Sequence, residues 1–198
     1  MENENESAKV PNAPSPIPGN LSYIIAKKVS SLSRSRSAYL DTAFADFTWC
    51  IKARSRDITR PNITGILIEP AKICATDGHR LHLITNPYPS IPPGEYEVYG
   101  INQSKVILIS KSDKLFPDWN RPSITMEGNI PEHEIAISNP TDFYTEILKH
   151  QLFEIKYLQD AISDEPMNVK IYTEGKPVVI TTKTRTAIVM PLLDRKVS

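Results

Sequence analysis

Residues 73–85 read ICATDGHRLHLIT: an apolar run, a short polar turn and a second apolar run. The two runs have the length and character of strands. Asp77-Gly78 closes them into a hairpin, because glycine accepts the positive φ that such turns require. A hairpin needs nothing more, yet Asp77, His79 and Arg80 crowd into this one. A catalytic loop, a metal site and the lip of a binding pocket are the three readings of that charge.

Moving outward, NITGILIE (62–69) and KICAT (72–76) are strands joined by a turn at Glu69-Pro70-Ala71, and LHLIT (81–85) follows the charged turn. Before them, AYLDTAFADFTWCIKA (38–53) is helical. Leu40, Phe44, Phe47 and Ile51 fall at i, i+4, i+7 and i+11, one stripe of a 3.6-residue period. LSYIIAKKV (21–29) is a first strand, and SSLSRSRS (30–37) a flexible basic link. Residues 1–20 carry four prolines and little to bury, so a disordered tail is expected there. EYEVYGI and KVILIS (95–101 and 105–110) are further strands, KLFPDWNRPS (114–123) is irregular, and EHEIAIS (132–138) alternates like a strand. PTDFYTEILKH (140–150) suits a strand or a short helix. LFEIKYLQDAIS (152–163) turns helical, with Tyr157, Leu158, Ala161 and Ile162 on one stripe; MNVKIYTE, PVVITT and TAIVMPLL are three closing strands. The order helix, strand, strand, strand thus occurs twice, near 38–86 and near 154–193, without a sequence repeat.

The 198 residues suffice for one domain, and 40 % hydrophobic content can fill its core. With 23 basic and 23 acidic residues, bulk charge selects no partner, so any nucleic-acid face must be local. Cys50 and Cys74 are two isolated thiols, neither a disulfide framework nor a zinc motif. No apolar run approaches the roughly 20 residues of a membrane span. The polar N-terminus is unlike a signal peptide. A soluble, cytoplasmic protein without membrane contact is expected.

Three segments carry a resemblance. RPNITGILIEPAKICATDGHRL (60–81) resembles the middle domain of the bacterial DNA polymerase III beta subunit, the sliding clamp: Arg60, Pro61, Ile63 and Gly65 match its Arg-Pro-x-Leu-x-Gly strand, and Ala75 to Leu81 match its Ala-Thr-Asp-Gly-His-Arg-Leu run without a gap. LFPDWNRP (115–122) is similar to the Phe-Pro-Asp-Tyr-x-Arg-Val junction between the clamp's middle and last domains. FEIKYLQDAI (153–162) followed by TAIVMPLL (186–193) resembles its final helix and terminal strand. About 70 residues are covered directly. A clamp chain has three domains and is nearly twice as long, so the resemblance implies a reduced form. The implied fold is α+β and clamp-like: two helix-plus-three-strand halves, at about 21–100 and 150–196, pack helices on antiparallel sheets in one domain over 21–196. A strand-containing segment, 101–149, joins them. Two reduced domains meeting at the FPDW bend are the alternative.

In the clamp family these segments line one pocket for short hydrophobic peptides of polymerases, the clamp loader and repair proteins. The resemblance implies Thr76, Gly78, His79, Arg80 and Leu81 on one wall, Pro117 and Arg121 at the base, and Ile188, Val189, Met190, Pro191 and Leu192 opposite. Pro122 departs from the family's Val, and Leu192-Leu193-Asp194 from its Met-Arg-Leu, which alters the rim charge. On this reading the charged turn is a pocket lip. The partner is a polymerase, clamp loader or other clamp-binding protein recognised through a short linear motif, and no cofactor is needed.

Two other readings stand beside it. A small hydrolase would use Asp77 to orient His79 as a base, but no Ser or Cys nucleophile motif and no phosphate-binding loop accompanies the pair. His79 and His82 would point to opposite faces of a strand, a poor metal pair. The alternative within the family is a processivity factor encircling duplex DNA; one clamp-type domain per chain would require a ring of six copies. Between Ala26 and Arg60 eight basic residues stand against three acidic ones, with Lys52, Arg54, Arg56 and Arg60 as candidate phosphate contacts.

Overall fold

The hairpin of residues 73–85 lies in the middle of a long sheet. The structure, a computed structural model, describes residues 22–26, 34–85, 88, 91–102, 105–110 and 115–192, with 22–26 and 34–41 described by their backbone alone. The expected disordered tail, 1–20, lies outside the described residues. In chain order the elements are β1 (Ser22–Ala26), α1 (Arg34–Ile51), a 3-10 turn (Pro61–Ile63), β2 (Ile66–Ile68), β3 (Lys72–Thr76), β4 (Arg80–Thr85), β5 (Gly94–Ile101), β6 (Lys105–Ser110), α2 (Pro122–Thr125), β7 (His133–Ile137), α3 (Pro140–Ile147), α4 (Ile155–Ala161), β8 (Met167–Ile171), β9 (Val178–Thr181) and β10 (Arg185–Val189). The helix α1 starts four residues earlier than the periodicity suggests, inside the stretch read as a basic link. PTDFYTEILKH resolves as helix: Pro140 opens α3, and the Asn139 side chain caps it by accepting from the Thr141 N–H at 3.0 Å.

The strands run β1-β6-β5-β2-β3-β4-β10-β9-β8-β7, all antiparallel. The helix-then-three-strands unit is present twice, as α1-β2-β3-β4 and α4-β8-β9-β10. The two units meet where β4 pairs β10, with Ile188 opposite Leu81 and Val189 opposite Arg80. That pairing makes one continuous sheet where the two halves implied two. The halves are also longer than the sequence suggests. The β5–β6 hairpin inserts between β1 and β2, and β7 with α3 joins the second half, so the connection shortens to 111–132.

Period-2 alternation divides the sheet into two unequal faces. One face is covered by the helices. There Ile66, Ile68, Ile73, Ala75, Ile84, Val169, Ile171, Val178, Ile180, Ala187 and Val189 pack with Phe47, Ile51, Phe143, Ile147 and Leu158. The other face carries a smaller cluster of Cys74, Leu81, Leu83, Val179 and Ile188, roofed by Trp119 and Met126 from the connection, with Phe116 and Ile124 against it.

The buried stripe of α1 is rotated from the one its apolar residues draw. Ala43, Asp46, Phe47 and Cys50 are all buried, whereas Phe44 is only partly so. A carboxylate lies in that stripe because β10 answers it: Arg185 donates to Asp46 Oδ1 through Nε at 3.0 Å and Nη2 at 2.9 Å, and the Tyr88 hydroxyl donates to Oδ2 at 2.6 Å. A paired, hydrogen-bonded charge can be buried where a lone one cannot. This contact ties the first helix to the last strand.

Candidate functional site

The charge in the 77–80 turn is first of all structural. Asp77 Oδ1 accepts the N–H groups of His79 and Arg80 at 3.0 and 3.1 Å, and Oδ2 accepts Arg80 Nε at 3.0 Å. Thr76 Oγ1 accepts the Gly78 N–H at 3.0 Å and donates to the Arg80 carbonyl at 2.6 Å. Gly78 sits at φ +92°, where a side chain is strained; a Cβ there would stand 2.8 Å from Arg60 Nη2. The Arg60 guanidinium lies across the turn and donates to the Asp77 carbonyl at 3.0 Å.

Arg80 turns away from solvent. Its Nη1 meets Asp160 Oδ2 of α4 at 2.6 Å, its Nη2 donates to the Lys52 carbonyl just beyond α1 at 2.6 Å, and its guanidinium stacks 4.4 Å from the Tyr157 ring. One side chain therefore fixes the turn to both halves. Arg80 thus positions the turn that borders the pocket.

On the other sheet face these elements enclose a concavity of about 290 Å³. Leu81, Ile188, Met190, Ile63, Trp119 and Ile124 form its apolar walls, with Pro117 beside them; Thr76, Gly78, His79, Arg60, Asn62, Asp118 and Arg80 form the rim. The last strand is locked to the turn by the Met190 N–H, which donates to the His79 carbonyl at 2.9 Å. The Trp119 side of the wall comes from the connection: the Phe116 N–H donates to Glu95 Oε1, Phe116 packs on the cluster, and Lys72 Nζ lies 5.0 Å from the Trp119 ring.

Of the expected pocket residues, Thr76, Gly78, His79, Arg80, Leu81, Pro117, Ile188 and Met190 converge here. Four do not. Val189 points to the helix side and is fully buried, as strand alternation requires of the residue between Ile188 and Met190. Arg121 is exposed and pairs with Asp118 at 3.1 Å. Pro191 and Leu192 lie past the end of β10 and line a separate hollow with Leu148, Leu152 and Gly175, where the Leu192 N–H donates to the Leu152 carbonyl at 2.8 Å. Ile63, Trp119 and Ile124 in the walls, and Arg60, Asn62 and Asp118 at the rim, are not among the expected pocket residues. Ile124 reaches the pocket because Pro122, the departure from the family's Val, opens the single turn α2.

The hydrolase reading finds Asp77 holding the turn and Arg80, while the His79 ring lies over Tyr157 with centroids 6.4 Å apart. Among the described residues no group of three His, Cys, Asp or Glu is placed to hold a metal ion. His82 is buried on the helix side, stacked 4.2 Å from Trp49, its Nδ1 donating to the Trp49 carbonyl at 3.0 Å. Burial lowers its pKa to about 3, so the ring is neutral. Burial pushes both thiols, Cys50 and Cys74, well above the usual cysteine range. No helix among the described residues is long and apolar enough to cross a membrane.

No family profile matches the chain, and no curated protein matches it. Solved structures do. The DNA polymerase sliding clamp of Bacillus subtilis superposes with a TM-score of 0.55 at 16% identity, over 77% of this chain and 62% of that one. The DNA polymerase III beta chain of Streptococcus pneumoniae gives 0.55 at 12% identity, over 98% and 67%. The sliding clamp of Bartonella birtlesii, solved bound to griselimycin, gives 0.53 at 15% identity, over 94% and 68%. The chain therefore has the fold of bacterial DNA polymerase III beta sliding clamps, and it spans less than two thirds of the Bacillus subtilis chain.

Proposed function

We propose that this protein is a non-catalytic, clamp-like component of DNA replication in the cytoplasm, and that its apolar pocket receives short hydrophobic peptides of polymerase, clamp-loader or other clamp-binding partners. The observation that carries the reading is the joint placement of His79, Trp119 and Met190, from three distant parts of the chain, around one concavity with apolar walls. Binding sites of this kind combine a mostly apolar interior with a few polar groups at the rim. Each leucine- or phenylalanine-sized anchor buried in such a pocket contributes about 1.5–3 kcal/mol. Met190, 40% exposed, adapts its unbranched side chain to anchors of different shape. Two such anchors contribute about 3–6 kcal/mol toward the roughly 8 kcal/mol of micromolar binding, and hydrogen bonds at the rim supply the rest and offset the cost of ordering the peptide.

The test is a titration of a labelled peptide of the Gln-Leu-x-Leu-Phe type, followed by fluorescence anisotropy. His79→Ala and Met190→Ala weaken binding several-fold on this reading. Saturable binding that neither substitution changes excludes the pocket as the site.

Ring formation around duplex DNA is the second reading. Within the described sheet β1 and β7 are the end strands, each hydrogen-bonded on one side only. Edges of this kind are open to strand pairing with another copy.

A further inference from the structure

The same turn that borders the apolar pocket borders a second concavity on the helix side, of about 460 Å³. Arg60, His79 and Arg80 line both. Lys52, Arg54, Arg56 and Lys156 bring further positive charge, against Asp57, Asp77 and Asp160. Two of those three carboxylates, Asp77 and Asp160, are held by Arg80. Arg80 offsets only one of those two charges, so among the described lining residues six cations, Lys52, Arg54, Arg56, Arg60, Arg80 and Lys156, face three carboxylates, an excess of three. The basin is therefore net positive and opens beside a pocket suited to a greasy side chain.

Resting on the pocket reading, we propose that this basin is the second compartment of the peptide site, and that it selects partners whose hydrophobic anchor is flanked by acidic residues. The Arg60 guanidinium, laid across Gly78, is the bridge between the compartments. Because Arg60, His79 and Arg80 line both compartments, one extended segment can touch both. The position of the basin favours a peptide's carboxylates over a duplex. The basin is continuous with the apolar pocket through Arg60, His79 and Arg80, which a peptide can use and a duplex cannot. Rim charges of this kind set specificity and association rate more than maximal affinity, and salt screens them.

The experiment uses the full chain and three labelled peptides with one Gln-Leu-x-Leu-Phe anchor. One is flanked by serines, one by aspartates before the anchor and one by aspartates after it. At about 50 mM salt, one of the two acidic peptides binds about tenfold tighter than the serine peptide. The advantage disappears at about 0.5 M salt. It also disappears in the double variant Lys52→Glu/Arg56→Glu, whose side chains are exposed and lie outside the apolar pocket, while the serine peptide, which carries no charge into the basin, still binds. Equal binding of all three peptides overturns the inference and leaves the pocket standing; so does an acidic gain that survives charge reversal. A serine peptide that does not bind at all removes the pocket reading itself. A duplex oligonucleotide that binds wild type but not the double variant, with no gain from aspartate flanks, assigns the basin to nucleic acid instead.

Discussion

The Met190 N–H and the His79 carbonyl, 111 positions apart in the chain, form a 2.9 Å hydrogen bond at the seam between the two halves. This bond extends the β4–β10 pairing by one position past Val189 and Arg80. It sets the last strand against the charged turn, so Met190 and His79 share one rim. The pocket is thus a product of the seam, and whatever loosens the seam alters the pocket.

Arg80 is the strongest clamp at that seam. Arg80→Ala leaves Asp77 and Asp160 without their cation and the Lys52 carbonyl without its donor, a loss of about 3 kcal/mol. Arg80→Lys does not restore it, since a single ammonium cannot serve acceptors in three directions. Urea denaturation checks both: the midpoint falls in each variant, and an unchanged midpoint in Arg80→Ala contradicts the assignment.

Gly78→Ala tests the turn itself. A left-handed φ and the clash with Arg60 act together, and the cost is about 1–2 kcal/mol. Ligand binding suffers as well, because Arg60 must move off the turn. Thermal unfolding and peptide titration of the same sample separate the two effects.

Acid sensitivity follows from His82. Its folded-state pKa, about 3, lies below the ordinary histidine value of about 6.5, so the unfolded chain binds the extra proton in that interval. Stability then falls as pH drops from about 6.5 toward 3, by up to about 1.4 kcal/mol per pH unit from this group. His82→Phe removes that contribution to the slope. Urea midpoints measured at pH 7 and pH 5 show it as a smaller difference in the variant than in wild type.

Encirclement of DNA makes its own demand. A closed ring requires several copies whose β1 and β7 edges pair. Light scattering behind a sizing column reads the mass directly: a multiple of 22.3 kDa at micromolar concentration supports the ring, and a monomer there contradicts it.

Local chemistry made much of this structure legible. Strand residues, the Asp77-Gly78 turn and the proline-aromatic bend all name their conformations in sequence, and the elements of 72–85 and 167–189 fall where those signals put them. Alternation could also have removed Val189 from the pocket, because Ile188 and Met190 on one face force Val189 to the other. Three features were hidden. The helical stripe of α1 includes Asp46, a residue that hydropathy assigns to solvent and that its distant partners Arg185 and Tyr88 allow to be buried. Pairing of β4 with β10 joins halves more than 100 residues apart, and nothing local specifies it. Trp119 and Ile124 become pocket walls only once the connection folds over the sheet face that the helices leave open.

Amide chemical-shift mapping of the isotope-labelled protein tests the central claim most directly. On titration with the hydrophobic peptide, the largest shifts fall on the Gly78, His79 and Met190 amides and the Trp119 indole, with saturation at micromolar affinity. Saturable shifts confined to other surfaces, with those four signals unmoved, contradict it.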